Sequence, residues 1–362
     1  MVEKAINIYD AGKEQALQNI LNSFGIKTQF ITLKEGRFFD TYDVKLQPGI
    51  RSTKIDKILV DLGMQLSSKA IPIGRPNLSS GTYQIDVQRA LIKAPEVYNI
   101  CQQMPASFFA PIPIGIDANG NNICADMASM PNLLIAGTTG SGKSSTIHNF
   151  ILASLKKGAT VSIVDPKRVE FDVYSDLKQV ERIVSEPDST LDLLEALIET
   201  MESRFDLLKS TNSRSVIEHN TKALPNKIIK PYLLIIDEWA DISLRNKPLQ
   251  DALVKLTQKS RAAGIYTILG TQRPSANVIS GNIKANFPAR IALRVSSAVD
   301  SRVIIDSVGA EKIDEPGMGL YLDPYVGKPI LFKAPYIKDL ELELQKFSLE
   351  KKKNSFWKRL FQ

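Results

Sequence analysis

Cysteine is scarce in this chain: Cys101 and Cys124 are the two among 362 residues. No disulfide framework is therefore needed; the two could form one pair, but two buried thiols in a reducing compartment are expected. Long apolar runs are missing as well. No uninterrupted stretch reaches the roughly 18 to 20 residues a membrane span needs. The opening Met1-Val2-Glu3-Lys4-Ala5 is no apolar signal segment either. The expectation is a cytoplasmic protein, brought to the inner face of a membrane only through a partner or a surface helix. Internal repeats and low-complexity tracts are also absent. Charge of one sign does not dominate: 46 Lys and Arg face 39 Asp and Glu, for a net charge of +7. That excess permits a polyanionic partner without requiring one.

The most informative feature present is Gly137-Thr138-Thr139-Gly140-Ser141-Gly142-Lys143-Ser144, which fits the phosphate-binding pattern G-x-x-x-x-G-K-[ST]. It follows the apolar run 132–136, where a strand should hand over to a helix. Its glycines allow backbone angles closed to other residues, so successive N–H groups, through Ser145, can converge on phosphates. Lys143 adds charge at the β- and γ-phosphates, and Ser144 offers a hydroxyl to Mg²⁺. A nucleoside triphosphate is the expected ligand.

A second motif is Tyr232-Leu233-Leu234-Ile235-Ile236-Asp237-Glu238, an apolar strand ending in two acids. Asp237 suits a Mg²⁺ ligand at the carboxyl end of a parallel strand, and Glu238 suits a general base for an attacking water. The strand 265–270 ends in Thr271-Gln272-Arg273-Pro274. Two readings of Gln272 stand: a γ-phosphate sensor or a plain turn residue. Arg261, in the last turn of the preceding helical pattern, also has two: a helix-dipole partner or a functional cation.

Residues 1–107 read as a smaller α+β unit, with helices over 11–24 and 52–66 and strands over 26–33, 38–46, 69–73 and 83–87. Pro105, Pro111 and Pro113 mark a junction. Beyond it, apolar strands at 132–136, 160–164, 232–236, 266–270 and 290–295 alternate with helical patterns, the signature of a parallel α/β sheet. The expected organisation is an α+β subdomain (1–107), a RecA-like P-loop ATPase with a mainly parallel sheet (108–338), and a basic amphipathic tail (339–362). For the tail, with Lys351-Lys352-Lys353 and Phe356-Trp357, a solvated segment and a docking element for a membrane or transfer-machinery partner are both open.

Met130 to Ser144, Asp165-Pro166-Lys167-Arg168-Val169-Glu170, Ile236-Asp237-Glu238-Trp239-Ala240-Asp241, and the block from Gln258 through Arg261-Ala262-Ala263-Gly264 and Thr271-Gln272-Arg273-Pro274-Ser275 to Asp300-Ser301-Arg302 resemble the FtsK/SpoIIIE family of DNA translocases. The resemblance runs over 110–335, and 15–107 is similar to the family's α subdomain. It implies a ring, usually a hexamer, that moves double-stranded DNA at the expense of ATP. Arg261 is then the finger reaching a neighbour's nucleotide. Arg273, Ser275 and Lys284 become phosphate contacts in a loop with no aromatic platform for single strands. The familiar Ser-Ser-Lys reads Ser296-Ser297-Ala298, so a family lysine is absent. Neither a multi-span membrane region nor a winged-helix domain has a counterpart here, and septal anchoring and sequence-directed polarity are not expected. A mobile-element motor is the reading this supports. A conjugative coupling ATPase with a relaxase-bound strand, a non-translocating ATP-gated DNA scaffold, and a protein-secretion ATPase are its rivals.

Overall fold

Leu17, Ile20 and Leu21 recur at helical spacing and form the buried face of α1 (Lys13–Ser23). The computed structural model describes residues 12–68, 72–89, 93–244 and 246–349. After α1, β1 (Thr28–Glu35) and β2 (Phe39–Leu46) pair as an antiparallel hairpin, with Tyr42 and Val44 turned into the core at period two. The continuous helix expected over 52–66 is broken into α2 (Thr53–Asp56) and α3 (Leu59–Gln65). At the break, Ile58 N donates to Ile55 O at 3.0 Å, a tighter i→i+3 bond. β3 (Ile73–Asn77) and β4 (Thr82–Gln88) complete an antiparallel sheet of order β1-β2-β4-β3. Of the strand expected over 69–73, residues 69–71 lie outside the described ones.

Contacts divide the chain into two compact units, residues up to 93 with 118–121, and 94–117 with 122 onward. The division thus falls at Lys93 rather than 107. The reason is that α4 (Val97–Gln102) and β5 (Pro111–Asp117) belong to the larger core, through Val97, Ile112 and Ile114. The prolines read as a junction lie inside β5 or just before it. Pro111 and Pro113 are tolerated because β14 (defined below) pairs with β5 only at Ile116 and Asp117, leaving no bond for the missing N–H groups to make there. β6 (Asn122–Asp126) pairs on the other side.

The rest of the larger unit alternates strands and helices. β7 (Asn132–Ala136) leads to α5 (Lys143–Lys156), then β8 (Thr160–Val164), β9 (Val180–Val184), α6 (Pro187–Ser210) and α7 (Val216–Lys222). Next come β10 (Tyr232–Ile236), α8 (Trp239–Ser243), α9 (Lys247–Lys259), β11 (Ile265–Thr271), α10 (Gly281–Asn286), β12 (Ala289–Leu293) and α11 (Ala298–Ile305). β13 (Met318–Leu322), β14 (Pro329–Lys333) and α12 (Leu340–Lys346) end the described chain. The sheet order is β6-β5-β14-β13-β12-β7-β11-β10-β8-β9. From β12 to β9 all neighbours are parallel, so the carboxyl ends of these strands gather along one edge. Every residue of β7, β10 and β11 is buried, as strands covered on both faces should be.

Part of the stretch expected as a tail is packed. Phe347, just after α12, is buried and meets the Tyr98 ring edge-on at 5.6 Å between centroids. Residues 350–362 lie outside the described ones. Among those described, no helix is long and apolar enough to cross a membrane.

Candidate nucleotide-binding and catalytic site

Five strand ends build the site. The loop after β7 turns through Gly140 (φ +75°) and Gly142 (φ +97°) into α5. A Cβ on Gly142 would stand 2.7 Å from the Gly317 amide nitrogen, so only glycine satisfies both the angle and the space. The loop is braced from outside. Gly137 N donates to Thr271 O at 3.3 Å, Thr138 N to Arg294 O at 2.9 Å, and Gly317 N to Ser141 O at 2.8 Å. Lys333, buried on β14, fixes that last strut by donating to Glu315 Oε1 and Pro316 O, both at 2.8 Å.

Inside the loop, the amides of Gly140, Gly142, Lys143 and Ser144 reach no backbone carbonyl among the described residues. The Ser141 and Ser145 hydroxyls are buried without a partner among the described residues. A concave set of N–H and O–H donors at a helix start, with a lysine, is the chemistry a polyphosphate requires. The fit to ATP is therefore good. Ser144 and Asp237 are the oxygen donors that would hold Mg²⁺ beside it. Lys143, 4% exposed, donates to Asp237 Oδ1 at 2.6 Å and to Asp237 O at 2.5 Å. The phosphate loop and the end of β10 are thereby joined by a buried ion pair.

Glu238 sits at the same edge, 2% exposed. Its Oε1 accepts from the Thr271 hydroxyl at 2.7 Å, and its Oε2 from Gln272 N at 2.8 Å. Gln272 reaches the other way: its Oε1 accepts from the Thr139 hydroxyl at 2.8 Å. One residue therefore ties the phosphate loop to the candidate base. β10 and β11 can approach this closely because position 270 is glycine, where a Cβ would lie 2.4 Å from Asp237 O. Thr271 was given no role by sequence reasoning; its place one residue before Gln272 at a strand end was the available signal. For Lys333, thirty residues past the last motif, there was none.

Asp165, at the end of β8, is buried, and its carboxylate accepts five successive amides, Lys167 through Phe171, at 3.1 to 3.3 Å. This fixes the turn with exposed Lys167, Arg168 and Val169 beside the site. His148 on α5 packs under it, its Nδ1 2.8 Å from the Tyr174 hydroxyl. Burial pulls its pKa down to about 4, against the opposing charges of Asp237 and Asp165.

The other expected residues are Arg261, Arg273, Ser275 and Lys284. Arg261 precedes β11, whereas Gln272 follows it, so a whole strand, about 20 Å at ~3.3 Å per residue, separates Arg261 from its own phosphate loop. There its Nε donates to Ala128 O at 3.0 Å. Arg273 and Ser275 are exposed in the loop after β11. Lys284 on α10 is instead engaged, donating to Asp306 Oδ1 at 2.5 Å, and Arg290 reaches the other oxygen at 2.5 Å. Burial raises the Asp306 pKa, but these two cations outweigh it and hold the carboxyl below its usual range. Ala298 begins α11, whose N-terminus is capped by Ser297.

A parallel sheet with β11 inserted between the phosphate-loop strand and the Asp237–Glu238 strand defines a RecA-like P-loop ATPase fold. Family models match over residues 102–276 (FtsK/SpoIIIE family) and 7–88 (FtsK alpha domain). The DNA translocase FtsK of Tropheryma whipplei is 33% identical over 343 residues, and that of Lactiplantibacillus plantarum 35% over 345. These alignments take in 90% and 91% of this chain and 46% and 43% of the relatives, so the chain spans about half their length. The chain belongs to the FtsK/SpoIIIE family. Among solved structures, the pCW3 conjugation coupling protein TcpA, with ATPγS, is similar over 93% of this chain and 99% of its own, at 21% identity and TM-score 0.68. The cytoplasmic domain of the Thermomonospora curvata type VII secretion ATPase EccC is similar over 70% and 32%, at 21% identity and TM-score 0.58.

Proposed function

We propose that this chain is an ATP-driven double-stranded DNA translocase that works as a ring-shaped oligomer, in the DNA transfer or packaging of a mobile element. The observation that carries the reading is Gln272: its side chain meets the phosphate loop, its amide holds Glu238, and the chain continues from it into the loop 273–280, where Arg273, Ser275, Ala276 and Asn277 are exposed. Changes at the nucleotide thus reach a polar loop suited to phosphates rather than bases. Lys143 and the loop amides bind and orient the triphosphate, and Mg²⁺ held by Ser144 and Asp237 neutralises charge there when bound. Glu238 orients the attacking water and takes its proton. Arg261, too far from its own site, serves the site of a second copy, which makes turnover depend on assembly.

The mobile-element role is supported by the end-to-end fold likeness to TcpA, whose name gives it as a conjugation coupling protein. The intact Lys143, Asp237 and Glu238 set argues against a non-translocating scaffold. The test is the ATPase rate without nucleic acid, with linear duplex and with single strands. Strong stimulation by duplex, lost in Glu238→Gln, is expected. Stimulation by single strands alone favours the coupling role, and a rate indifferent to both refutes a DNA motor.

A further inference from the structure

The smaller unit carries a basic face that no step of the proposed mechanism uses. The flanks of α2 are tightened by i→i+3 bonds: Lys54 N to Arg51 O at 3.1 Å, Ile55 N to Ser52 O at 2.8 Å, and Ile58 N to Ile55 O at 3.0 Å. Side chains three apart are then neighbours on one side of the turn. Ile55 is fully buried and Ile58 packs against the core of this unit. The register that buries them leaves Arg51, Lys54 and Lys57, successive neighbours three apart at roughly 5 to 6 Å between Cβ atoms, on the side turned to solvent. All three are exposed. Lys27, also exposed, joins them, since Gln47 N donates to Lys27 O at 3.2 Å and brings the start of β1 beside this turn.

None of these four cations has a side-chain partner among the described residues. Several other cations of the unit are used internally, Lys13 and Arg89 on Asp40, Arg75 on Asp86, and Lys45 on the Gly81 carbonyl, while Lys34 and Arg37 are exposed without a side-chain partner among the described residues. The one acid within the turn, Asp56, is taken by the Tyr83 hydroxyl. Gln47, Ser52 and Thr53 add short polar groups; exposed large apolar side chains, Phe24, Val60 and Met64, lie outside 47–57, at the borders of the face rather than among its cations. A membrane-binding or protein-binding face would carry an apolar centre. A row of unpaired cations with polar spacers fits evenly spaced phosphates.

We propose that the Lys27–Arg51–Lys54–Lys57 face is a second duplex-DNA contact, gripping the phosphate backbone without reading sequence, on a different unit from the loop after β11. It rests on the DNA-motor reading. The test is equilibrium binding of linear duplex by the whole chain with ATPγS across a series of salt concentrations. Each lost phosphate contact lowers the slope of log K against log salt by about 0.9, so the triple variant Arg51→Ala, Lys54→Ala, Lys57→Ala should lose about 2 to 3 in slope. Affinity at physiological salt should fall about tenfold or more. The charge-retaining triple Arg51→Lys, Lys54→Arg, Lys57→Arg should keep the wild-type slope. The pair Lys34→Ala, Arg37→Ala, at the far end of the β1–β2 hairpin, should change it by less than one contact. ATPase without DNA should be unchanged throughout.

An unchanged slope in the alanine triple, while wild type binds duplex, overturns this contact and leaves the motor reading standing. An equal fall in the Lys34/Arg37 control overturns it in favour of bulk charge. Loss of binding to phosphatidylserine vesicles with duplex binding intact overturns it in favour of a membrane. Failure of wild type to bind duplex at all overturns the motor reading and this contact together.

Discussion

Replacing Thr271 with valine removes one hydroxyl and little volume from the centre of the site. That hydroxyl donates to Glu238 Oε1 at 2.7 Å and accepts from Arg273 N at 3.1 Å. Glu238 is 2% exposed, so water cannot readily replace the lost donor. A hydrogen bond to a charged group contributes about 1.5 to 3 kcal/mol. If Glu238 acts as the base and Thr271 fixes its carboxylate, the loss appears as misplacement in the transition state. At about 1.36 kcal/mol per decade, Thr271→Val should lower duplex-stimulated kcat by about 10- to 150-fold. KM for ATP should move by less than about threefold, because the phosphate cradle is untouched. Thr271→Ser, which keeps the donor, should recover most of the rate. Steady-state ATPase with duplex in excess reads all three. A Thr271→Val kcat within twofold of wild type, in a protein that melts normally, would refute the assignment of Glu238 as a base held by β11.

Lys143→Ala leaves Asp237 buried without its cation, which should cost about 3 to 5 kcal/mol of stability as well as turnover; adding Asp237→Asn should restore part of the melting temperature but none of the rate. Arg261→Ala should abolish turnover while ATP binding persists, and mixing it with equally inactive Lys143→Ala should restore activity. In a mixed ring, some sites combine an intact phosphate loop with a neighbour's intact Arg261, and no recovery would contradict the trans assignment. His148 has a folded pKa of about 4 against 6.5 when unfolded, so the unfolded chain binds the proton first as pH falls. Its neutral burial therefore stabilises fully above about pH 6.5 and is lost towards pH 4, by roughly 3 kcal/mol. Denaturant melts of His148→Gln should lose most of that slope between pH 6.5 and 4.

The parallel core was legible because its strands are buried on both faces. Residues 132–136, 160–164 and 232–236 are mostly apolar runs, broken only by Asn132, Thr160 and Ser162, and the structure places strands over the same residues. The antiparallel extension was not. β13 and β14 contain glycine and proline, and β5 contains two prolines that tolerate strand geometry only because β14 leaves that part of it unpaired. Likewise the break between α2 and α3 has no proline or glycine to announce it, since Lys57 and Ile58 are compatible with a helix. In the site, Gly137 to Ser145, Asp237 and Glu238 come together as their motifs imply. The Lys284–Asp306 pair joins residues 22 apart through tertiary packing that local pattern does not encode. The Thr271 and Lys333 roles depend in the same way on which strands become neighbours.

The most direct test of the central claim is displacement of a third strand from a linear duplex–triplex substrate by the whole chain with ATP. A DNA motor predicts ATP-dependent release by wild type, none with ATPγS, and none by Lys143→Ala. Absence of release under conditions where duplex stimulates ATP hydrolysis would contradict translocation and leave a DNA-gated ATPase that does not move along its track.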